Sequence, residues 1–427
     1  MAILKMMKYA LINKYNAERM FWGLLLLLIT LAVCPASAMA FYEGQSGDLF
    51  VDARGLVRGF ISASRYPSDD ALFPDRRSSG AAGVARIMVD GEMGDNWRFE
   101  LNAYQSFIPN ALVGSQGGAS LPSSVERSAL FEASFSDNDH VRLAVDRIAL
   151  RWSKDNLEFT AGRQAINLAT TFYFTPNDFF APFAAQTFYR VYKPGVDAFR
   201  AEIGIGQLSQ LSLISVLGYG PDTTSSTGWS RYSNSQRDSQ LLRWSSAFGN
   251  AEATFLGGRV ADKNIIGGAL QGELFDWLGV RVEGHHADPQ TVAGGDYRQL
   301  SLGVEHRWES SLDLRLELLY NGVGNDLVSS YQVVVASNDA IYLARRYSAF
   351  GGSYEVTPLL LMSAVLISNM DDHSHLISLN SVYSLSDESE AVFNVSTPLG
   401  NRPANGLLRS EFGAYPNSMN LEYRLYF

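Results

Sequence analysis

Strict alternation of apolar and polar residues marks the C-terminal end of the chain. One face of an extended strand would carry Met419, Leu421, Tyr423, Leu425 and Phe427, and the other Asn420, Glu422, Arg424 and Tyr426. A strand with one apolar and one charged face suits the wall of a closed membrane barrel, because closure pairs every backbone group between lipid outside and water inside. The pattern therefore predicts a transmembrane barrel strand; the alternative is an edge strand of a soluble sandwich.

The same alternation recurs along the chain, most clearly over Trp97–Phe107 and Leu312–Tyr320. In both segments the apolar residues share one face, and the polar face carries charges of both signs. No linker, low-complexity tract or charge block marks a second domain. We predict an all-β fold, a closed antiparallel transmembrane β-barrel of about 18 strands, with about 16 as the alternative.

Short and long connections alternate between these segments, which gives the barrel two different ends. Tight links are predicted near residues 94–96, 154–156, 206–208, 248–250, 276–279, 309–311, 357–358 and 386–388. Long links are predicted at Tyr66–Ala82, Ile108–Ser124, Asn167–Pro194, Gly220–Ser239, Gly322–Ala340 and Pro398–Pro416. Two full strands within Arg127–Ser153 would break the up-and-down parity, so one of them is predicted to be an extension folded into a loop.

The N-terminal residues 1–38 are predicted to be a secretory signal peptide. Lysines and Arg19 precede the apolar run Phe21–Val33, and either Ala36-Ser37-Ala38 or Ala38-Met39-Ala40 fits a small-residue cleavage site. Residues 39–427 would then form a barrel in the outer membrane of a Gram-negative bacterium. Cleavage at Ala38 would remove Cys34, the only cysteine, and leave no thiol for a disulfide or a metal.

Composition narrows the function classes. The formal net charge is −10 and no basic tract is present, which argues against nucleic acid as a partner. After Val33 nothing approaches the roughly 18 consecutive apolar residues of a transmembrane helix. A membrane-embedded form would therefore span the bilayer as strands.

Two resemblances follow from these residues. The terminal strand, with Tyr423, Leu425 and Phe427, resembles the signal by which the barrel assembly machinery recognises outer-membrane barrels. Gly162-Arg163-Gln164, followed by Pro176-Asn177-Asp178 and by residues 195–200, resembles porin-like barrels of the alginate-export type.

The second resemblance implies a long loop near the pore and an inner face that includes Arg163, Arg200 and Glu202. That family has a strongly cationic lumen, whereas the candidate inner face here mixes both signs of charge. The difference argues against alginate itself as the solute.

Residues Asn167–Pro194 are the candidate constriction. The loop contains nine aromatic residues, and so many rings would be an unusual apolar patch on a solvated loop. We predict that it folds into the lumen or across the barrel mouth, with Asp178, Arg190 and Lys193 as polar elements and Phe179, Phe180 and Phe183 as packing anchors. The alternative is a structural plug or a rim contact without a role for solute.

Catalysis and metal binding have little support in the sequence. The chain contains no motif of a metalloprotease, a serine hydrolase, a phosphate-binding loop or haem attachment. The cluster at residues 371–375, Asp-Asp-His-Ser-His, offers carboxylates and imidazoles but is more simply a hairpin turn. We expect no enzyme activity, no cofactor and no metal.

The sequence therefore predicts a porin-like channel for passive or selective diffusion of small polar solutes or ions, surrounded by outer-membrane lipid. The alternative is a barrel sheath that holds a periplasmic or surface partner protein, such as a multihaem cytochrome, in its lumen.

Overall fold

The computed structural model describes residues 42–108, 125–134, 141–225, 227–290, 295–331 and 342–427. The predicted signal peptide lies outside these residues. The described strands are β1 Tyr42–Ser46, β2 Leu49–Arg65, β3 Arg77–Met93, β4 Trp97–Phe107, β5 Glu132–Ser134, β6 Val141–Lys154, β7 Leu157–Gln164, β8 Val196–Ile205, β9 Ser209–Val216, β10 Tyr219–Pro221 and β11 Trp229–Ser233. They continue with β12 Ser239–Phe248, β13 Ala251–Val260, β14 Lys263–Leu274, β15 Leu278–Pro289, β16 Tyr297–Arg307, β17 Asp313–Asn321, β18 Arg346–Thr357, β19 Leu360–Asn369, β20 Ser374–Ser386, β21 Ser389–Leu399 and β22 Asn417–Tyr426.

Helical structure in the described residues is limited to short 3-10 turns. These are Ala129–Phe131, Ser235–Arg237, Val328–Ser330 and Phe412–Ala414. None of the described helices is long and apolar enough to cross a membrane.

Eighteen of the strands form one closed antiparallel barrel, which confirms the predicted fold class. Each of these strands pairs with its neighbour along the chain, and β22 returns to pair with β2 from Leu56↔Tyr426 to Arg65↔Asn417. Closure removes the free edges that an open sheet would expose. The remaining strands β1, β5, β10 and β11 are short additions to the wall or to a loop.

Two full strands within Arg127–Ser153 would have broken the up-and-down order of the barrel. The described residues of this segment instead form one barrel strand and one extension, as predicted. β6 is the barrel strand, and β5 is a three-residue strand that pairs with Arg142–Ala144 of β6. β7 pairs with Ile148–Lys154 of β6, and β5 covers three of the β6 residues that β7 does not reach.

The two ends of the barrel differ as the connections predicted. Eight tight turns between consecutive barrel strands lie at one end, which also holds the start of β2 and the C-terminus. Several turns use positive φ angles, for example Asp155 at 53° and Gly206 at 65°. The long connections leave the strands at the other end.

The two faces of the wall follow the alternation in the sequence. On β22, Met419 and Leu421 are more than half exposed, whereas Asn420, Glu422 and Arg424 are buried. The large apolar residues Leu316, Leu318 and Tyr320 of β17 are likewise exposed on the outside. An apolar outer band around a polar interior is the surface that a membrane-spanning barrel presents to lipid.

The C-terminal Phe427 closes the seam at the turn end. Its backbone N–H donates to Gly55 O at 3.0 Å, and its carbonyl oxygen accepts from Gly55 N–H. A Cβ atom at Gly55 would lie 2.3 Å from the Phe427 ring, so glycine leaves room for this contact. The last residue of the chain is therefore part of the closing strand pair.

Placing a charge on the outer face of β22 should hinder insertion into the membrane. We expect Leu421→Asp to destabilise the barrel by about 2 kcal/mol, because the carboxylate would meet lipid, while Asn420→Asp on the inner face changes it much less. Heat-modifiable migration of the two variants, folded from urea into lipid vesicles, measures the difference. Equal folded fractions would contradict the assigned faces.

Candidate functional site

Residues 165–195, which join β7 to β8, fold into the barrel; we call them the inner loop. One residue that holds the inner loop is Glu317, whose side chain points inward from β17. Its carboxylate accepts three consecutive backbone N–H groups, from Phe172 at 2.6 Å, Tyr173 at 2.7 Å and Phe174 at 2.9 Å. Hydrogen bonds to an ionised acceptor are stronger than neutral ones, so Glu317 holds this part of the loop firmly.

A second carboxylate, Glu283 on β15, holds the residues on both sides of that segment. It accepts the backbone N–H groups of Thr170, of Thr171 at 3.0 Å and of Asn177 at 3.2 Å. The Asn177 side chain also donates to Gly268 O on β14 at 3.0 Å. The loop is therefore tied to the wall at β14, β15 and β17.

The returning half of the inner loop reaches another sector of the wall. The Tyr189 ring lies 4.3 Å from the Arg58 guanidinium of β2 and 4.0 Å from that of Arg424 on β22. Tyr192 stacks on Arg86 of β3 at 4.7 Å. With its base at β7 and β8, the loop thus touches three separate sectors and crosses the lumen.

Asp178 and Lys193, two of the predicted polar elements, form an ion pair with each other. Both side chains are buried, and desolvation raises the pKa of Asp178 and lowers that of Lys193, against the attraction between them. The Lys193 carbonyl oxygen accepts from Arg147 of β6 at 2.7 Å. This pair links the two halves of the inner loop, and its charges largely offset each other.

Arg190, the third predicted polar element, also serves the loop itself. Its guanidinium donates to the carbonyl oxygens of Thr187 at 2.8 Å, of Ala185 at 3.1 Å and of Phe172. It lies 4.7 Å from the Phe172 ring. Burial lowers the pKa of Arg190, and the carbonyl oxygens compensate for the lost water.

The three predicted phenylalanine anchors have different surroundings. Phe180 is buried in an apolar cluster with Ile214 and Leu241 of the wall. Phe179 packs edge-on against His285 of β15, with ring centroids 5.0 Å apart. Phe183 is half-buried and lines a small cavity on the side of the inner loop that faces the long connections.

Between the inner loop and the barrel end with the tight turns, the lumen forms a charged chamber of about 400 Å³. Its walls carry both signs of charge: Asp52, Asp90, Glu92, Arg98, Glu100, Arg147, Arg151 and Arg200. Many of these are paired, for example Arg147 with Glu100 at 2.9 Å. Rings of Tyr173, Phe174 and Tyr342 line the small cavity on the opposite side of the loop.

Of the residues predicted to face the lumen, Arg200 lines the charged chamber and pairs with Glu202 at 3.0 Å. Arg163 does not lie on the open surface, which corrects that expectation. Its side chain is fully enclosed, pairs with Asp197 at 2.7 Å and donates to Ser128 O at 2.8 Å. Gly162, with φ of 116°, precedes it where a Cβ would collide with Ile148 O. The motif therefore shapes the wall, and Gln164 faces the chamber instead.

The cluster at residues 371–375 forms the turn between β19 and β20. Asp372 accepts the backbone N–H groups of Ser374 at 2.8 Å and of Glu411 at 2.7 Å. Asp371 binds Arg346. Within the described ranges, no three His, Cys, Asp or Glu residues are grouped to hold a metal ion.

Glu411, which the sequence did not single out, joins three loops at the barrel mouth. Its carboxylate accepts from Asn369 Nδ2 at 2.8 Å, from the Leu343 N–H at 3.3 Å and from the Tyr347 hydroxyl. Burial raises its pKa to about 7, although these three donors oppose the shift. The surrounding apolar cluster contains Phe174 of the inner loop and Phe412.

The fold has well-matched relatives among solved structures. No family model matches the chain, and no curated protein matches it. OccK9 (OpdG) of Pseudomonas aeruginosa superposes with a TM-score of 0.58 at 11% identity, over 88% of this chain and 98% of that one. A BenF-like porin from Pseudomonas fluorescens Pf-5 gives 0.56 at 12% identity, over 90% and 100%. OccAB3 of Acinetobacter baumannii gives 0.55 at 12% identity, over 88% and 99%. At these identities the similarity shows the porin-type barrel fold.

Removing the carboxylate anchors should free the inner loop. We expect the Glu283→Gln and Glu317→Gln double variant to be cleaved by trypsin after Arg190 about tenfold faster, because each substitution weakens charge-assisted bonds to backbone N–H groups. Mass spectrometry of the refolded barrel locates the cut. Glu390→Gln, on β21, where the carboxylate accepts hydrogen bonds from Arg424 and Tyr426, is the matched control. Unchanged cleavage would show that apolar packing alone retains the loop.

The local stability of the three loops that Glu411 joins should fall as pH rises. The folded-state pKa of about 7 lies above the ordinary value of 4.5, so the stabilisation is present below about pH 4.5 and is lost as pH rises through 7. Between pH 5 and 8 we expect a loss of roughly 2–3 kcal/mol in local stability. Hydrogen exchange near residues 342–347, corrected for intrinsic rates, measures it. Glu411→Gln should abolish the pH dependence; a retained dependence would assign it to another group.

Proposed function

We propose that this protein is an outer-membrane channel for small polar solutes and ions, and that the inner loop forms its narrowest part. The observation that carries the proposal is a closed barrel with a polar, charged inner face and a loop of its own chain anchored across the lumen. A barrel of this width is a pore unless something fills it, and the loop restricts it only in part of its height.

The charged chamber supports polar solutes as the transported class. Its side chains form local pairs such as Arg200 with Glu202 and Arg147 with Glu100, so neither sign of charge dominates the wall. Such a surface can replace the hydration of a small polar molecule without trapping it. The structural relatives, described as porins or as Occ/Opd proteins, agree with this proposal.

The inner loop also weighs against the sheath alternative. A folded partner such as a multihaem cytochrome could fit only if the full width of the lumen were free. The inner loop crosses that width, from Glu317 on β17 to Arg58 on β2 and Arg424 on β22. Displacing it would break six hydrogen bonds to the two carboxylates. A channel therefore fits the lumen better than a sheath.

The predicted site residues take more specific roles within this proposal. Asp178, Arg190 and Lys193 hold the shape of the inner loop, and Phe179, Phe180 and Phe183 fix its position. We propose no catalytic role, since the residues at 371–375 are used in turn hydrogen bonds. Tyr423, Leu425 and Phe427 remain the proposed signal for the assembly machinery.

We propose that the similarity to alginate-export-type barrels is limited to the local structure around residues 162–164. Gly162, Arg163 and Gln164 would be shared because this wall needs a glycine with a positive φ and an enclosed Arg163–Asp197 pair at the start of a long loop. This role does not depend on the solute.

Planar bilayers test the channel and the loop together. We expect stable ohmic steps from the purified protein, and a conductance increase of about twofold or more when residues 177–191 are replaced by a short Gly-Ser link, because the lumen then widens. Shortening the β10–β11 connection is the control, because none of the inner-loop contacts described above involves it. A silent protein would reject the channel, and an unchanged conductance after replacement would reject the loop as the constriction.

A further inference from the structure

Two adjacent cross-strand rows on the inner wall carry only uncharged polar side chains. A row of serines runs directly across four adjacent strands, from Ser378 of β20 through Ser396 of β21 and Ser418 of β22 to Ser64 of β2. All four side chains are buried, which places them on the inner face. Each is the direct cross-strand partner of the next.

A second row lies two residues along each strand. Asn380 of β20 pairs across to Asn394 of β21, Asn394 to Asn420 of β22, and Asn420 to Ser62 of β2. We call the two rows together the neutral wall. They present hydroxyl and amide groups, each able to donate and to accept hydrogen bonds.

The neutral wall has unused hydrogen-bonding capacity. The Nδ2 and Oδ1 atoms of Asn394 and Asn420 have no partner in the protein, although each residue is only 4% exposed. The hydroxyl oxygens of Ser62, Ser64 and Ser418 are likewise without a partner. Buried polar atoms are normally hydrogen-bonded because leaving them unpaired is costly. A sector with this many unpartnered donors and acceptors is suited to a ligand that enters it and supplies the missing partners.

The charges next to the neutral wall are internally balanced. Arg58 and Arg424 lie on the turn side of it and pair with Glu422 and Glu390. Two arginines and two glutamates leave little net field. An ion that moved to the neutral wall would lose hydration beside charges that already neutralise one another, whereas a neutral solute exchanges hydrogen bonds with water for hydrogen bonds with the wall.

We propose that the neutral wall is a binding track for uncharged solutes rich in hydroxyl or amide groups, of the sugar or polyol class. The inference rests on the proposed channel function and specifies which solutes the channel favours. The Tyr189 ring, over Arg58 and Arg424, lies beside the track and keeps passing solute close to it.

Liposome swelling with three solutes of similar size tests the track. Glucose is neutral, gluconate is an anion and glucosamine is a cation, so size is held nearly constant while charge changes. We expect glucose to enter proteoliposomes about fivefold faster than either ion. Equal rates, or faster entry of gluconate, would overturn the proposal while leaving the channel itself intact, because ion conductance in bilayers is measured separately.

Variants assign the preference to the neutral wall. Asn394→Leu with Asn420→Leu keeps the side-chain size and removes the hydrogen bonds, and should lower glucose entry about fivefold without changing ion conductance by more than about twofold. If that variant does not refold, Ser62→Ala with Ser418→Ala removes two of the unpartnered hydroxyls at little packing cost and should also slow glucose. Ser301→Ala, an unpartnered buried hydroxyl on β16, is the matched control and should have no effect. Glucose entry that survives the substitutions in a folded barrel would contradict the assignment.

Discussion

The structure depends on one constraint, which is that every backbone N–H and C=O group within the membrane must find a partner in the protein. The wall meets it by pairing β22 with β2 over ten residues of each strand. Closure places one face of every strand in lipid and the other around a lumen, so the period-2 pattern of the chain becomes an apolar exterior and a polar interior. Phe427 completes the last backbone pairs with Gly55, which makes the chain terminus part of the seam.

The same constraint governs the inner loop, whose backbone leaves the sheet and loses its ladder partners. Glu283 and Glu317 supply acceptors for six of its N–H groups, and Arg190 supplies donors to its carbonyl oxygens. With the backbone satisfied, the aromatic rings are free to pack against β17–β20 and the loop at 400–416. The inner loop is thus held by ionic groups and filled by aromatic ones, and neither contribution alone explains its path across the lumen.

Sequence reasoning recovered what is local. Alternation located strands such as Trp97–Phe107, and turn residues located the tight connections, because both depend on neighbours along the chain. The aromatic content of the inner loop indicated that it needs a buried environment. Its anchors could not be found in this way, since Glu317 meets Phe172 across 145 residues and only the closed barrel brings them together. Arg163 was misplaced because the resemblance put it on the inner face. Alternation along β7 instead puts Thr160 and Gln164 on one face, where both line the charged chamber, and Arg163 on the opposite face.

Charge is present throughout the lumen, and much of it is arranged in pairs. Arg86 and Arg127 share Asp146, and Arg281 and Arg315 share Glu305. Paired charges in a narrow, poorly hydrated space exert short-range forces and little net field, so they orient a solute by contact more than they attract it from a distance. Selectivity in such a lumen depends on which hydrogen bonds a solute can exchange at the wall. The acidic net charge of the chain therefore says little about the solute, and the local arrangement of neutral and paired groups says more.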